Sequence, residues 1–384
     1  MLAIGLMSGT SLDGVDAALV RILPSGSGYD VALQRFETHP FESPLREDLP
    51  AALPPNAGSV AAVANLHHRL GCAYAHAARQ VAGSDPIDYV ASHGQTVWHD
   101  GPAGMTLQIG DPFVISELLD ATVCFDFRSA DCAAGGHGAP LVARVDALLL
   151  SSGDEDRVAL NLGGIANVTL LRSQAVPEQA TAFDTGPGNM LIDAFVSLKT
   201  NGSRRFDANG GLAGAGSVDA DLLATMLADD YFSELPPKTT GREDFGSHFL
   251  MRQGERLERM SLEDGAATLT ELTATSVGQA IERAGFAHAR IIVSGGGAHN
   301  STLLARLAAR LKYARVETSD SMGIPIDAKE AMAFAVLGYE TLRGRAGNVP
   351  AATGARHPVV LGAIAPRRLS ALIERVGAEC RSSS

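Results

Sequence analysis

At 384 residues, 46% hydrophobic and 19% charged, the chain has the composition of an ordinary globular protein long enough for two domains. Its net charge of -12, from 31 Lys and Arg against 43 Asp and Glu, supplies no basic stripe and argues against nucleic-acid binding. A small-molecule partner is expected instead. Cys72, Cys124, Cys132 and Cys380 form no CxxC pair and read as reduced, structural thiols. The start MLAIGLMSG lacks a basic n-region, and no apolar run approaches membrane-spanning length, so a cytoplasmic protein without membrane contact is expected.

Leu2 to Met7 and Val15 to Ile22 are β-favouring runs joined by SGTSLDG, which predicts a hairpin. Val60 to Val81 is Ala-rich and long enough for a helix. Strand-like IDYVAS and MTLQIG follow, then a helix from about Pro112 to Leu119, the strand-like ATVCF and a helix over APLVARVDALLL. RVALNLGGIANVTLL repeats the opening pattern of apolar run, small-residue bend, apolar run about 150 residues further on. In TAFDTGPGNMLIDAFVSL a short strand is expected to end at Asp184 and a helix to begin near Asn189. ARIIVSGGGAHNSTLLARLAARL predicts strand, glycine bend and helix. NGSRRFDANGGLAGAGS and PPKTTGREDFG read as loops. Strands alternating with helices predict an α/β fold with covered sheets.

GTSLDG has the two-glycine spacing of a Walker-type phosphate loop but places Val15 and Asp16 where the lysine and hydroxyl residue belong. Amides from a glycine bend, hydroxyls from Thr10 and Ser11, and a magnesium ion on Asp13 would hold phosphate without that lysine. An ordinary hairpin turn uses the same residue types. NLGGIAN and SGGGAHN pose the same choice. Three glycine bends, each directly after an apolar run, together favour a nucleotide cleft, because ligands of α/β sheets bind beyond strand carboxyl ends.

Asp184, in FDTGPGN, sits at the end of a strand before a helix, where the dipole favours the carboxylate. It serves either as a general base or as a cap on that helix; the pattern alone does not choose. His93 and His99 match no zinc spacing. His93, Gln95, Thr96 and Trp98 read as a polar patch with an aromatic wall for a sugar-like ligand, although core packing is the ordinary role of a single tryptophan. Arg128, in FDFRSAD, pairs with Asp126 or Asp131 or else clamps a ligand carboxylate. Glu330 opens the helix KEAMAFAVLGYE, where first-turn Glu is routine.

GLMSGTSLDGVD, SHGQTVWH, DFRSADCAAGGHGAPLV, NLGGIANVT, FDTGPGNMLID, SGGGAHN and KEAMAFA, in this order from Ile4 to about Glu340, resemble the anhydro-N-acetylmuramic acid kinases. The resemblance implies the actin, hexokinase and heat-shock ATPase superfamily, with two similar α/β domains around a nucleotide cleft. It makes Gly9, Thr10, Ser11, Leu12, Asp13, Gly14, Val15 and Asp16 the first phosphate loop. Asn161, Gly163, Gly164 and Asn167 become the second. Gly295, Gly296 and Gly297 become the adenosine loop, and Gly186, Gly188 and Asn189 join the ATP-binding set.

The implied activity opens the 1,6-anhydro bridge of a cell-wall amino sugar and phosphorylates the released oxygen, using ATP, Mg2+ and water. Asp184 is then the base that activates the water. Glu330 matches a position near the sugar, and Arg128 one suited to the lactate carboxylate, with His93, Gln95 and Thr96 in the same substrate-binding set. A homodimer is compatible with the resemblance. The expected domains are 1–134 and 135–384, with the C-terminal tail packing back on the first. Two other readings are another carbohydrate kinase of the same fold and a non-enzymatic actin-like ATP module.

Overall fold

A computed structural model describes residues 1–9, 12–25, 28–53, 56, 58–236 and 238–382, with the side chains of Arg242, Glu243, Ser247, Cys380 and Ser382 excepted. The chain divides into two compact units, Met1–Leu149 with Ala328–Ser384, and Leu150–Asp327.

In the first unit, β1 (Leu2–Met7) and β2 (Gly14–Ser25) pair antiparallel, and β3 (Gly28–Pro40) adds antiparallel to β2. The helix Val60–Ala82 comes next, capped by Ser59, whose hydroxyl accepts the Ala62 N–H at 3.1 Å, and stopped by Gly83 at φ 59°. The chain returns as β4 (Tyr89–Ser92), parallel to β1. β5 (Gln95–Asp100) and β6 (Met105–Ile109) form their own two-stranded sheet. β7 (Thr122–Phe125) then pairs parallel with β4, and the short strand Ala363–Ala365 closes the edge. β4 is buried along its whole length, as a parallel strand covered on both faces must be.

Ile4, Leu6, Leu19, Val90 and Val123 of the sheet meet Leu70 and Tyr74 of the helix Val60–Ala82 in a shared core, each large aliphatic contributing about 1.5–3 kcal/mol by burial. The helix Lys329–Leu342 lies against β1 at glycine range: a Cβ on Gly5 would stand 1.8 Å from the Ala331 carbonyl oxygen. Gly5 is what lets the backbones approach so closely.

The second unit repeats this topology. β8 (Arg157–Leu162), β9 (Ile165–Leu171) and β10 (Thr181–Pro187) pair antiparallel in sequence, and β11 (Arg290–Ser294) and β12 (Arg315–Thr318) add in parallel on the other side of β8. The strand order β10-β9-β8-β11-β12 thus matches β3-β2-β1-β4-β7. Val158, Leu160, Val168, Val277, Ile291 and Val293 fill its core. A second cluster, including Phe195, Phe232, Phe245, Phe249 and Leu272, belongs to the helices between β10 and β11.

The observed division differs from the expected 134/135. All but the last residue of the helix Val142–Leu150 lies before the break, and its Arg144 and Asp146 pair with Glu340 at 3.2 Å and Lys329 at 2.8 Å, both in the helix of residues 329–342. Buried ion pairs of this kind cost about 3–5 kcal/mol when one partner is removed, so they hold the helix to the first unit. Both stretches read as loops contain helix. Gly211–Ala215 is helical because the Asp207 carboxylate accepts the Leu212 and Ala213 N–H groups at 2.8 and 2.9 Å, and Arg242–Phe245 forms one turn. The described cysteine side chains, Cys72, Cys124 and Cys132, are free thiols.

Candidate active site

The first glycine bend joins β1 to β2. Thr10 and Ser11 lie outside the described residues. Leu12 takes the left-handed region at φ 57°, Asp13 is exposed, and the Asp13 carbonyl accepts the Phe41 N–H at 2.9 Å. Gln95 braces the turn from below: its Oε1 accepts the Ser8 hydroxyl at 2.6 Å, and its Nε2 donates to the Gly9 carbonyl at 3.3 Å. Gln95 is buried, so its place is under the loop. Val15 is buried in β2, while the Asp16 carboxylate accepts the Thr38 hydroxyl at 2.6 Å.

His93 lies just after β4 and is buried against Phe334, their ring centres 4.6 Å apart. Its Nδ1 lies 2.8 Å from the Gly94 carbonyl oxygen, which requires the proton there and leaves Nε2 as an acceptor. Nε2 takes the Arg128 Nε–H at 3.0 Å. Burial, and then the Arg128 cation, push the imidazole pKa well below its ordinary value. Arg128 also donates through Nη1 to the Gly138 carbonyl at 2.5 Å.

Neither aspartate expected to pair with Arg128 does so by hydrogen bond. Asp126 accepts from Ser129, and Asp131 is surrounded by donors from Asn348, Thr353 and Gly138. The Arg128 guanidinium is therefore fixed along one edge, and Nη2 meets no acceptor among the described residues. Burial lowers its pKa, and the Glu330 carboxylate opposes that effect.

Glu330 is exposed at the start of its helix. Even so, the surrounding protein raises its pKa; Asp16 adds to the rise, while Lys329 and Arg128 oppose it. Thr96 Oγ1 accepts from Gln108 at 3.2 Å. Trp98 is not core: it is 47% exposed, beside Met105 and Leu107 on the β5–β6 hairpin.

In the second unit, the Gly163–Gly164 turn joins β8 to β9, and its carbonyls organise the bend after β10. Gly164 accepts from the amides of Gly188 and Met190 at 2.8 and 3.1 Å, and Gly163 from that of Asn189 at 2.8 Å. A Cβ on Gly188 would stand 2.3 Å from the Gly163 oxygen, so a larger residue cannot sit so close. Asn189 Nδ2 donates to the Leu162 carbonyl at 3.1 Å, and Gly297 lies against both residues. Asn161 is in register with Asn167 on one side and Ser294 on the other. Gly295 and Gly296 continue directly from Ser294 at the end of β11. The Gly163–Gly164 turn, the Gly186–Asn189 bend and the Gly295–Gly297 loop are thus one contiguous assembly.

Asp184 lies inside β10, which runs on to Pro187 through a bulge between Asp184 and Gly186, rather than ending at Asp184 as expected. Such bulges re-aim side chains. The carboxylate Oδ2 accepts the Thr240 N–H at 2.9 Å, whereas the N-cap position of the helix Met190–Lys199 is Asn189. Around it, the Asp184 N–H donates to the Lys238 carbonyl at 3.1 Å, and the Tyr231 hydroxyl donates to the Asp184 carbonyl at 2.8 Å. Thr240 is itself clipped through its hydroxyl to Asp244 at 2.7 Å. Lys238 and Thr240 carried no sequence signal beyond their position in a Pro- and charge-punctuated stretch, and Tyr231, just before it, carried none.

Two units of one repeated topology, each opening on a hairpin with a glycine-bearing turn and the second carrying a glycine loop after β11, define an ATPase fold of the actin and hexokinase type. The sequence profile of anhydro-N-acetylmuramic acid kinase matches residues 1–367. Curated relatives of that name include those of Caldanaerobacter subterraneus subsp. tengcongensis, 42% identical over 94% of this chain and 96% of the relative, and Streptomyces avermitilis, 45% identical over 96% and 95%. That of Xanthomonas axonopodis pv. citri is 45% identical over 95% and 98%. The chain belongs to the anhydro-N-acetylmuramic acid kinase family.

Proposed function

We propose that the chain opens the 1,6-anhydro ring of 1,6-anhydro-N-acetylmuramic acid and phosphorylates O6, yielding N-acetylmuramic acid 6-phosphate and ADP in the recycling of cell-wall sugars. The observation that carries this reading is the Asp184 carboxylate, aimed by a strand bulge and held by the Thr240 amide, on the strand that leads into the Gly186–Asn189 bend against the Gly163–Gly164 turn. Asp184 takes a proton from water, the water oxygen bonds to C1, and the C1–O6 bond breaks. O6 bonds to the γ-phosphorus as the bond to ADP breaks. One carboxylate serves both halves of the reaction, with the released proton as the remaining product.

The ATP set is that of the two hairpin turns, whose amides suit phosphate oxygens, and of the Gly295–Gly297 loop, which takes the adenosine end. Among sugar-side residues, Arg128 makes the carboxylate contact and Glu330 a hydroxyl contact. His93 and Gln95 act from behind, orienting Arg128 and the first turn. Thr96 completes that set.

Among the described residues no three His, Cys, Asp or Glu side chains gather as a metal cage. Mg2+ carried on nucleotide phosphates needs only one or two protein carboxylates, and Asp13, exposed at the first turn, fits that demand. The ion would neutralise charge on the transferring group.

No helix among the described residues is long and apolar enough to cross a membrane; the cytoplasm, where ATP is supplied, is the proposed location, with neither nucleic acid nor membrane as a partner. A homodimer is proposed, and light scattering on the purified chain would read its mass. The test of function is ADP release with Mg2+ATP and a panel of sugars. Turnover is expected with the anhydro sugar and not with ring-opened N-acetylmuramic acid. Equal turnover on the opened sugar would replace this reading with that of an ordinary hydroxyl kinase.

A further inference from the structure

In the second unit, a cavity of about 410 Å3 lies between the start of the helix Met190–Lys199, the 206–209 segment and the 296–300 turn. Most of its polar lining is already engaged. Asp207 accepts two backbone amides, Asn300 Oδ1 accepts the Leu303 N–H at 2.9 Å, and Asn189 donates to the Leu162 carbonyl. His299 pairs with Asp327 at 2.9 Å. Asp193 differs: it is partly buried, faces the same cavity and accepts no hydrogen bond from any described residue. Burial, and then the neighbouring Asp207 carboxylate, push its pKa up to about 6, the mark of an anion short of donors.

Two carboxylates make this cavity hostile to phosphate, so a nucleotide entering it must present its uncharged end. A carboxylate offers only acceptors. An adenine edge pairs a donor with an adjacent acceptor and suits an amide side chain. Two neighbouring ribose hydroxyls are both donors and match both carboxylate oxygens, as acidic residues do in other nucleotide folds. Gly296 in the cavity wall belongs to the loop assigned to the nucleotide, and the exposed ring of Phe206 offers a face to a base. We infer that Asp193 is a specificity-determining residue that binds the 2′- and 3′-hydroxyls of the nucleotide ribose and makes the enzyme select ribonucleotides.

This rests on the reading of the chain as an ATP-dependent kinase. The test compares kcat/KM for ATP, 2′-deoxy-ATP and 3′-deoxy-ATP in the wild type, Asp193→Ala and the isosteric Asp193→Asn. The wild type is expected to prefer ATP over at least one deoxynucleotide by tenfold or more, through KM. Asp193→Ala is expected to lose that factor on ATP while its deoxynucleotide values stay put, and Asp193→Asn, with one acceptor left, to fall between. Equal use of all three nucleotides by the wild type, or an equal loss on all three in the variants, would overturn the inference. Calorimetric binding of ADP against 2′-deoxy- and 3′-deoxy-ADP reads the same discrimination without turnover. Failure of the kinase reading therefore appears as absent turnover with the ribose preference still measurable.

Discussion

The imidazole of His93 accepts the Nε–H of Arg128 at 3.0 Å, with its own Nδ1 proton given to the Gly94 carbonyl. This bond exists only while the ring is neutral. The folded pKa is depressed below the unfolded value near 6.5, so the unfolded chain binds the extra proton first. Stability contributed by neutral His93 is therefore full above about pH 6.5 and declines as pH falls below it, by up to about 1.4 kcal/mol per pH unit, until the folded ring also titrates. Thermal melts at pH 7.5, 6.5 and 5.5 should show a steeper acid loss in the wild type than in His93→Gln. Parallel curves would mean that His93 is not held neutral. His99, whose pKa is also lowered, chiefly by burial, remains in both proteins and cancels in the comparison.

Thr240 holds Asp184 through its backbone N–H, not through its side chain. Thr240→Pro removes that donor, and Thr240→Ala keeps it while losing the clip to Asp244. The proline variant should lose at least about tenfold in kcat, since removing one hydrogen bond to a charged group is worth about 1.5–3 kcal/mol. The alanine variant should stay within a few-fold of wild type. Steady-state kinetics on both separates the amide from the hydroxyl, and an equal loss in the two would refute the assignment.

Gly188 sits where a methyl group would meet the Gly163 carbonyl oxygen at 2.3 Å. Gly188→Ala should lower stability by about 1–3 kcal/mol through overpacking. Because the displaced carbonyl belongs to the turn proposed to hold phosphate, ATP affinity should fall as well. Calorimetric unfolding and ATP titration on one sample would check the pairing of effects; loss of stability with unchanged affinity would detach this turn from the nucleotide.

Asp184→Asn keeps the shape of the side chain and an oxygen for the Thr240 amide, but not the base. Nucleotide binding should survive, with turnover reduced by about 10²–10⁴-fold or more, the contribution of a positioned general base. Near-wild-type turnover would remove Asp184 from the chemistry.

Both glycine-turn hairpins were legible because an apolar run, a small-residue bend and a second apolar run form a local pattern, and β1–β2 and β8–β9 follow it closely. The helix over 112–119 was equally plain, with Pro112 after the Asp111 cap. The features that escaped depend on distant partners. The residue 142–150 helix belongs to the first unit through Glu340 and Lys329, nearly two hundred residues on. Trp98 looked like core, yet β5 and β6 lie outside the large sheet, and it is Val97 and Ile109 that turn into the core. The short helix Gly211–Ala215 lacks hydrophobic periodicity and owes its start to the Asp207 carboxylate. Asp184 stands out in the sequence as a candidate, but a strand bulge and an amide fifty-six positions away set its direction, and neither has a sequence signature.

The proposed coupling of water addition at C1 to phosphoryl transfer onto O6, through one carboxylate, would leave its mark on the product. Incubation of the purified enzyme with Mg2+ATP, 1,6-anhydro-N-acetylmuramic acid and oxygen-18 water, with mass spectrometry of the sugar product, reads both events in one molecule. The expected product is a 6-phosphate whose anomeric oxygen is heavy and whose phosphate ester oxygen is light. A phosphorylated sugar with its anhydro bridge intact, or with heavy oxygen only in inorganic phosphate, would contradict the coupling.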